Sequence, residues 1–243
     1  MLNLPPVIGH RGAAALAPEN TLAGIRAAKA LGCAWVEFDV RLTADNALVV
    51  CHDDALARTT GARGRISKLP LARLRGLDAG SWFGPGFAGE RLPTLDEALS
   101  LCHDLALGAN VEIKAERGRG PATAAAIAAS LARLGPNLPP LLISSFISTA
   151  LAAAAVAMPS IPRGMLWRSL PRNWRRLAKR LGCTTIHCGQ ADLTETIAAT
   201  VSDAGYPFLA YTVNDAARAR QLFAWGIASV FSDAPDIIAR AAA

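Results

Sequence analysis

Three carboxylates, two imidazoles and two cations stand in this sequence where apolar runs give out. His10, Arg11 and Gly12 follow Val7, Ile8 and Gly9; Glu37 and Asp39 interrupt the apolar run at 34–40; His52 and Asp53 follow 48–50; Glu112 and Lys114 close a run that begins at Asn110. Two carboxylates two residues apart on an extended segment point the same way. Burying such a pair is costly unless positive charge sits between them. Glu37, Asp39 and Glu112 are therefore candidate hard-oxygen ligands for Mg²⁺ or Ca²⁺. His10 and His52 are candidates for acid and base, because imidazole titrates near neutral pH. Arg11 and Lys114 are candidate grips for an anionic ligand, arginine being able to hold two oxygens at once. Each group also has a plainer reading: surface charge or salt bridge for the carboxylates, charge balance for the cations, a satisfied core or surface residue for each histidine.

Buried strands handing polar groups to loops would bring these residues together. Predicted strands at 7–9, 34–40, 110–113, 141–145, 162–166, 184–188, 207–213 and 228–231 alternate with predicted helices at 22–31, 94–105, 121–134, 148–156, 171–181, 193–204, 215–225 and 235–242. Asn20 or Thr21 is placed to cap the first helix, and Thr94 with Glu97 forms a capping box for the second. About eight βα units is the number that closes a parallel barrel, with a doubly wound open sheet as the competing architecture. In a barrel the active groups lie at the C-terminal strand ends, and the expectation is that His10 ends the first strand, Glu37 and Asp39 the second, and Glu112 with Lys114 the third. Residues 55–93, rich in Gly, Arg and turn residues, read as an inserted excursion with little regular structure.

The 243 residues carry a formal charge of +6, which fits an anionic ligand, a nucleic acid or a phospholipid surface and decides between none of them. No apolar run approaches the roughly 18 residues of a membrane span, and the N-terminus lacks a secretory pattern, so a cytoplasmic protein is the expectation. Cys33, Cys51, Cys102, Cys183 and Cys188 are odd in number without CxxC spacing, which favours reduced, mostly buried thiols over disulfides or structural zinc. His103 reads as a satisfied core or surface residue, while His187 lies near a strand end and stays open. The basic run Arg163, Arg168, Arg172, Arg175, Arg176, Lys179 and Arg180, with Trp167 and Trp174, reads as a solvated helix face, with nucleic acid or a membrane surface as the functional alternative.

Taken together, these pieces resemble the glycerophosphodiester phosphodiesterase family. The matching segments are His10-Arg11-Gly12, Pro18-Glu19-Asn20-Thr21, Glu37-Phe38-Asp39-Val40, His52-Asp53 and Glu112-Ile113-Lys114. Others are Gly80-Ser81-Trp82-Phe83, Leu92-Pro93-Thr94, Tyr211-Thr212-Val213-Asn214 and Phe231-Ser232-Asp233-Ala234-Pro235. Ile147 and Ala115 depart from the family pattern, and Ile147 removes a polar side chain from a position that could touch substrate.

The resemblance implies a single TIM (β/α)8 barrel domain over residues 1–243, with a small insertion at about 53–94 after the second strand. It implies hydrolysis of a glycerophosphodiester to sn-glycerol 3-phosphate and an alcohol, with one divalent ion, Mg²⁺ or Ca²⁺, on Glu37, Asp39 and Glu112. His10 and His52 would be acid and base, Arg11 and Lys114 would hold the phosphoryl oxygens, and the attacking oxygen would be water or the substrate's own glycerol hydroxyl. Glu19 would orient Arg11 or the loop rather than ligate metal, and Asn20 would cap. Trp82 and Phe83 would line the pocket over the glycerol or leaving group, or else anchor a small core inside the insertion. The expected partner is a small-molecule diester, with no nucleic acid and no stable membrane insertion, in a monomer or homodimer. Lysophospholipids as substrates, and a non-catalytic phosphate or nucleic-acid binding module, are the alternatives.

Overall fold

The structure, a computed structural model, describes residues 3–242. Its first part carries β1 (Val7–Gly9), α1 (Leu22–Ala30), β2 (Trp35–Leu42) and β3 (Leu48–Val50), then the single-turn helices α2 (Ala57–Thr60) and α3 (Leu71–Leu74), and α4 (Leu95–Asp104). Alternation then takes over with β4 (Gly108–Ile113), α5 (Gly120–Leu134), β5 (Leu141–Ser145), α6 (Ser148–Ala157), β6 (Arg163–Trp167) and α7 (Trp174–Leu181). It continues with β7 (Thr185–Gly189), α8 (Glu195–Ser202), β8 (Phe208–Tyr211), α9 (Ala216–Ala224), β9 (Ser229–Ser232) and α10 (Pro235–Ala242).

Strand β1 pairs in parallel with both β2 and β9, and parallel pairing runs unbroken from β2 through β4 and on to β9. Eight parallel strands therefore close on themselves as the (β/α)8 barrel, and the open doubly wound sheet is ruled out. β3 stands outside the ring, antiparallel to the end of β2 with Val40 opposite Val50 and Leu42 opposite Leu48. The pairing of β1 with β2 stops at Gly9–Val36, and β3 takes over that edge. Glu37 and Asp39 consequently lie inside a strand that runs on to Leu42, which corrects the expectation that they end it.

Alternation along the strands sorts their side chains to two cores. Val36, Phe38 and Val40 join the large cluster beneath the helices, while Ile8, Trp35, Leu142, Leu209 and Phe231 fill the barrel interior. Trp35 fits there because Gly108 beside it has no Cβ; one built at that position would run into the indole. Thr21 caps α1 by accepting from the Gly24 amide, and the Thr94–Glu97 capping box starts α4. Residues 53–94 hold more order than their composition announced. Leu56, Ile66, Leu74, Ala79 and Leu92 pack with Val49 and Cys51 into a small core of their own.

All five cysteines are buried free thiols, and burial pushes Cys51, Cys102 and Cys188 up to about 12. His103 is exposed on the last turn of α4. His187 lies fully buried in the barrel, its Nε2 2.9 Å from the Thr185 hydroxyl and its ring against Phe231. Burial lowers its pKa to about 3.

An unfolded histidine titrates near 6.5, so below that pH the unfolded chain gains a proton that the folded chain refuses down to about 3. Stability from this group is complete above about pH 6.5 and drains away as pH falls toward 3. Urea unfolding at pH 7 and at pH 5 tests this: His187→Leu shrinks the stability lost between them by about 2 kcal/mol. An unchanged loss refutes it.

Candidate active site

Glu37, Asp39 and Glu112 stand on barrel strands β2 and β4, His10, Arg11 and Lys114 follow β1 and β4, and His52 follows the outer strand β3. A cavity of about 270 Å³ at this face is lined by His10, Arg11, Glu37, His52, Glu112 and Lys114, together with Asn110, Phe146, Leu166, Tyr211, Thr212 and Phe231. Asp39 is buried directly behind them at 1% exposure.

The β1 loop must turn sharply to present His10 and Arg11. Gly12 has φ +90° and packs against the backbone of Gly24, a region and a distance that no side chain would tolerate. In return the Arg11 amide donates to Glu37 Oε2 at 3.0 Å, and the Gly12 amide donates to the Glu37 carbonyl at 3.2 Å. The first strand's loop is thereby fastened to the carboxylate-bearing second strand.

Oxygens of Glu37, Asp39 and Glu112 lie within 4.8 Å of one another, on three buried side chains. Asp39 and Glu112 are direct neighbours in the β2–β4 ladder. Their charge is only partly answered. Lys114 Nζ stands 2.6 Å from Glu112 and 3.4 Å from Asp39, and Arg11 Nε is 3.5 Å from Asp39.

Burial drives the three carboxylates upward, and neighbouring charge then separates them. Lys114 and Arg11 outweigh burial at Asp39 and hold it below the usual range. Burial together with Asp39 and Glu112 pushes Glu37 well up, and burial together with Asp39 pushes Glu112 up to about 7. Such a cluster is short of positive charge. Glu37 Oε1 is moreover buried without a hydrogen-bond partner. Hard, converging oxygens with a charge deficit and an orphaned acceptor fit a divalent cation.

The two histidines are held alike. His10 Nδ1 lies 2.7 Å from Asp233 Oδ1, and His52 Nδ1 lies 2.7 Å from Asp53 Oδ1. An ionised carboxylate only accepts, so each Nδ1 carries the proton and each Nε2 is left with a lone pair. For His10 that Nε2 is 3.8 Å from Glu37.

Both aspartates stay ionised. Burial raises Asp233, but the hydrogen bond and charge of His10, the Asn214 hydrogen bond and the charge of Arg11 together outweigh it; burial likewise raises Asp53, but Arg58 and His52 hold it at about 2. Asn214 steadies Asp233 by donating to its Oδ2 at 2.7 Å and accepting from its amide at 2.8 Å. Arg58 donates to Asp53 at 2.6 Å and grips Glu19 with two bonds of 2.6 and 2.8 Å. Glu19 in turn accepts from Arg11 at 2.8 Å. The insertion therefore braces both the His52 dyad and the Arg11 loop.

Two expectations are corrected. Asn20 does not cap α1; at φ +58° its amide donates to Asp39 Oδ2 at 2.8 Å and its side-chain oxygen accepts from the Asp39 amide at 3.1 Å, fixing the carboxylate. Trp82 lies outside the cavity lining: its Nε1 donates to the Ala79 carbonyl at 2.9 Å, its ring packs edge-on against Phe83, and it is 40% exposed. The apolar wall is supplied instead by Phe146, Leu166, Tyr211 and Phe231. Phe146 meets Tyr211 edge-on with centroids 5.8 Å apart and sits 5.3 Å from the Lys114 ammonium. Ile147, the apolar residue at an otherwise polar position, is absent from that wall and packs against the outer core.

A parallel barrel with two imidazoles, two cations and a buried three-carboxylate cluster at one mouth is suited to hydrolytic phosphoryl transfer. The profile of the glycerophosphoryl diester phosphodiesterase family matches residues 10–237. The glycerophosphodiester phosphodiesterase of Caldanaerobacter subterraneus is 30% identical over 233 residues, covering 96% of this chain and 95% of that one. One from Bacillus subtilis is 29% identical over 248 residues, covering 95% and 84%. A phosphodiesterase of Oleispira antarctica, solved with the product sn-glycerol 3-phosphate, shares 41% identity and superposes with a TM-score of 0.96 over 98% of this chain and 97% of its own. The chain belongs to the glycerophosphoryl diester phosphodiesterase family and is an enzyme, a hydrolase.

Proposed function

We propose that this enzyme hydrolyses small glycerophosphodiesters to sn-glycerol 3-phosphate and an alcohol, with Glu37, Asp39 and Glu112 holding one Mg²⁺ or Ca²⁺ and His10 and His52 exchanging the protons. The observation that carries the reading is the pair of Asp-anchored imidazoles flanking a buried three-carboxylate cluster in one cavity. The product bound to the Oleispira antarctica phosphodiesterase supports the substrate class.

A phosphodiester resists attack because its anionic oxygens repel the nucleophile and its alkoxide is a poor leaving group. A divalent ion held by Glu37, Asp39 and Glu112 would supply positive charge to draw in and neutralise the phosphate. Arg11 and Lys114 place positive charge where the phosphoryl oxygens gain negative charge in the transition state, and their own ion pairs hold them in place beforehand. One imidazole takes the proton of the attacking hydroxyl or water at Nε2, and the other, protonated, gives its proton to the leaving oxygen. Asp233 and Asp53 stabilise each imidazolium as it forms. Phe146, Leu166 and Phe231 give the same cavity an apolar wall.

The test is release of glycerol 3-phosphate from glycerophosphocholine and glycerophosphoethanolamine by chelator-treated enzyme, before and after Mg²⁺ or Ca²⁺ is restored. Release that returns with the ion is expected. No release from either diester with either ion overturns the reading.

A further inference from the structure

The charge of this chain is distributed unevenly. Between Glu116 and Asp192 there is no Asp or Glu, while ten Arg and Lys occur there. Those residues form β5, β6, β7 and the helices packed on them, so one side of the barrel is wholly cationic.

Not all of these cations are free. Arg163 is turned inward and donates to the carbonyls of Met158, Ile161 and Gly182, and Lys179 and Arg180 lie in the last turn of α7, where cations complement the helix dipole. Arg168 and Arg172 lie in the loop between β6 and α7, and Arg175 and Arg176 open that helix. All four are exposed, and among the described residues none makes an ion pair.

Helix stability does not explain their position. Cations at a helix N-terminus oppose the dipole, and the first turn of α7 has no acidic residue to offset them. The loop that follows a parallel barrel strand lies on the mouth face, so Arg168 and Arg172, with Arg175 and Arg176 at the head of α7, belong to the same end of the barrel as the cavity.

Exposed apolar side chains gather on the same face. Phe146, 42% exposed, forms the lip of the cavity in the loop after β5; Leu16, 47% exposed, lies in the loop after β1; Trp82, 40% exposed, lies on the insertion. The insertion reaches this face through Arg58, which bonds to Glu19, and Glu90, which accepts from the Ala23 amide at the head of α1.

We propose that the barrel mouth docks on an anionic lipid surface, with Arg168, Arg172, Arg175 and Arg176 meeting phosphate headgroups and Leu16, Phe146 and Trp82 entering the headgroup layer. Unpaired cations beside protruding aliphatic and aromatic side chains are what such a surface selects. A nucleic acid would use the cations and the rings but leave Leu16 without a partner. The inference concerns binding alone and stands apart from the reaction assigned to the cavity.

Co-sedimentation of the full chain with vesicles of phosphatidylcholine, with and without phosphatidylglycerol, tests it. Binding to the phosphatidylglycerol vesicles is expected, with little to phosphatidylcholine alone. The triple variant Arg172→Glu/Arg175→Glu/Arg176→Glu weakens that binding by about tenfold or more, and Leu16→Ser weakens it severalfold, while both hydrolyse soluble glycerophosphocholine at the parent rate. Failure to bind the anionic vesicles, binding that survives charge reversal, or tighter binding to a DNA duplex or an RNA than to the vesicles overturns the proposal.

Discussion

Replacing His10 with alanine lowers kcat on glycerophosphocholine by roughly 10²–10⁴-fold and leaves the folded state intact. The imidazole sits on a rim loop with its Nδ1 committed to Asp233 and its Nε2 facing the carboxylate cluster. It takes no part in the apolar cores, so its removal costs proton transfer and little packing. Substrate affinity changes little, because Arg11, Lys114 and the carboxylates remain. Asp233→Asn gives a smaller loss: the amide can donate to Nδ1, which favours the imidazole tautomer with its proton on the wrong nitrogen. His52→Ala falls to a similar level as His10→Ala, and combining the two adds little further loss, since acid and base serve one step. Steady-state kinetics at saturating divalent ion read all four outcomes.

Glu37→Gln abolishes metal-dependent turnover and, without the ion, leaves the fold as stable as the parent or more so. Glu37 is pushed up by burial and by Asp39 and Glu112, so removing its charge relieves repulsion in a site with too little positive charge. The glutamine oxygen can still accept from the Arg11 amide, as Glu37 Oε2 does at 3.0 Å. What disappears is one of three anionic oxygens around the ion. Thermal unfolding with and without Mg²⁺ or Ca²⁺ reads this directly: the parent gains stability with the ion by mass action and Glu37→Gln does not. A variant that keeps both the ion-dependent shift and the turnover removes Glu37 from the ligand set.

The barrel was legible because its signals are local and repeated. Apolar runs of four to six residues alternate with capped amphipathic stretches, and the period-two placement of Glu37 and Asp39 already put both carboxylates on one face. Where β2 ends was not legible: residues 40–42 stay extended because β3 folds back on them, a pairing that no pattern within β2 announces. Asn20 carried a strong local capping signal, yet its partner is Asp39, 19 residues on, and the neighbouring Thr21 does the capping. Trp82 among glycines looked like a pocket wall, but the Ala79 carbonyl and the Phe83 ring turn it back onto its own loop.

The residue that sequence reasoning passed over is Asp233. It lies 223 positions from His10, and only closure of the barrel through β1–β9 brings the two together. A carboxylate just past the last strand was the available signal, since in a barrel that position adjoins the end of the first strand. For His52 the orienting carboxylate is simply the next residue, Asp53, and the pair could be read as a unit.

If the carboxylates hold the ion while the histidines do the proton chemistry, the two functions separate in a single sample. The measurement is turnover of glycerophosphocholine by His10→Ala in protein whose bound Mg²⁺ or Ca²⁺ is quantified at the same time. Parent-like ion content with turnover lost by orders of magnitude is the expected result. Parent-like turnover at full ion occupancy would contradict it, because the site would then be hydrolysing phosphodiesters without the imidazole that Asp233 holds in place.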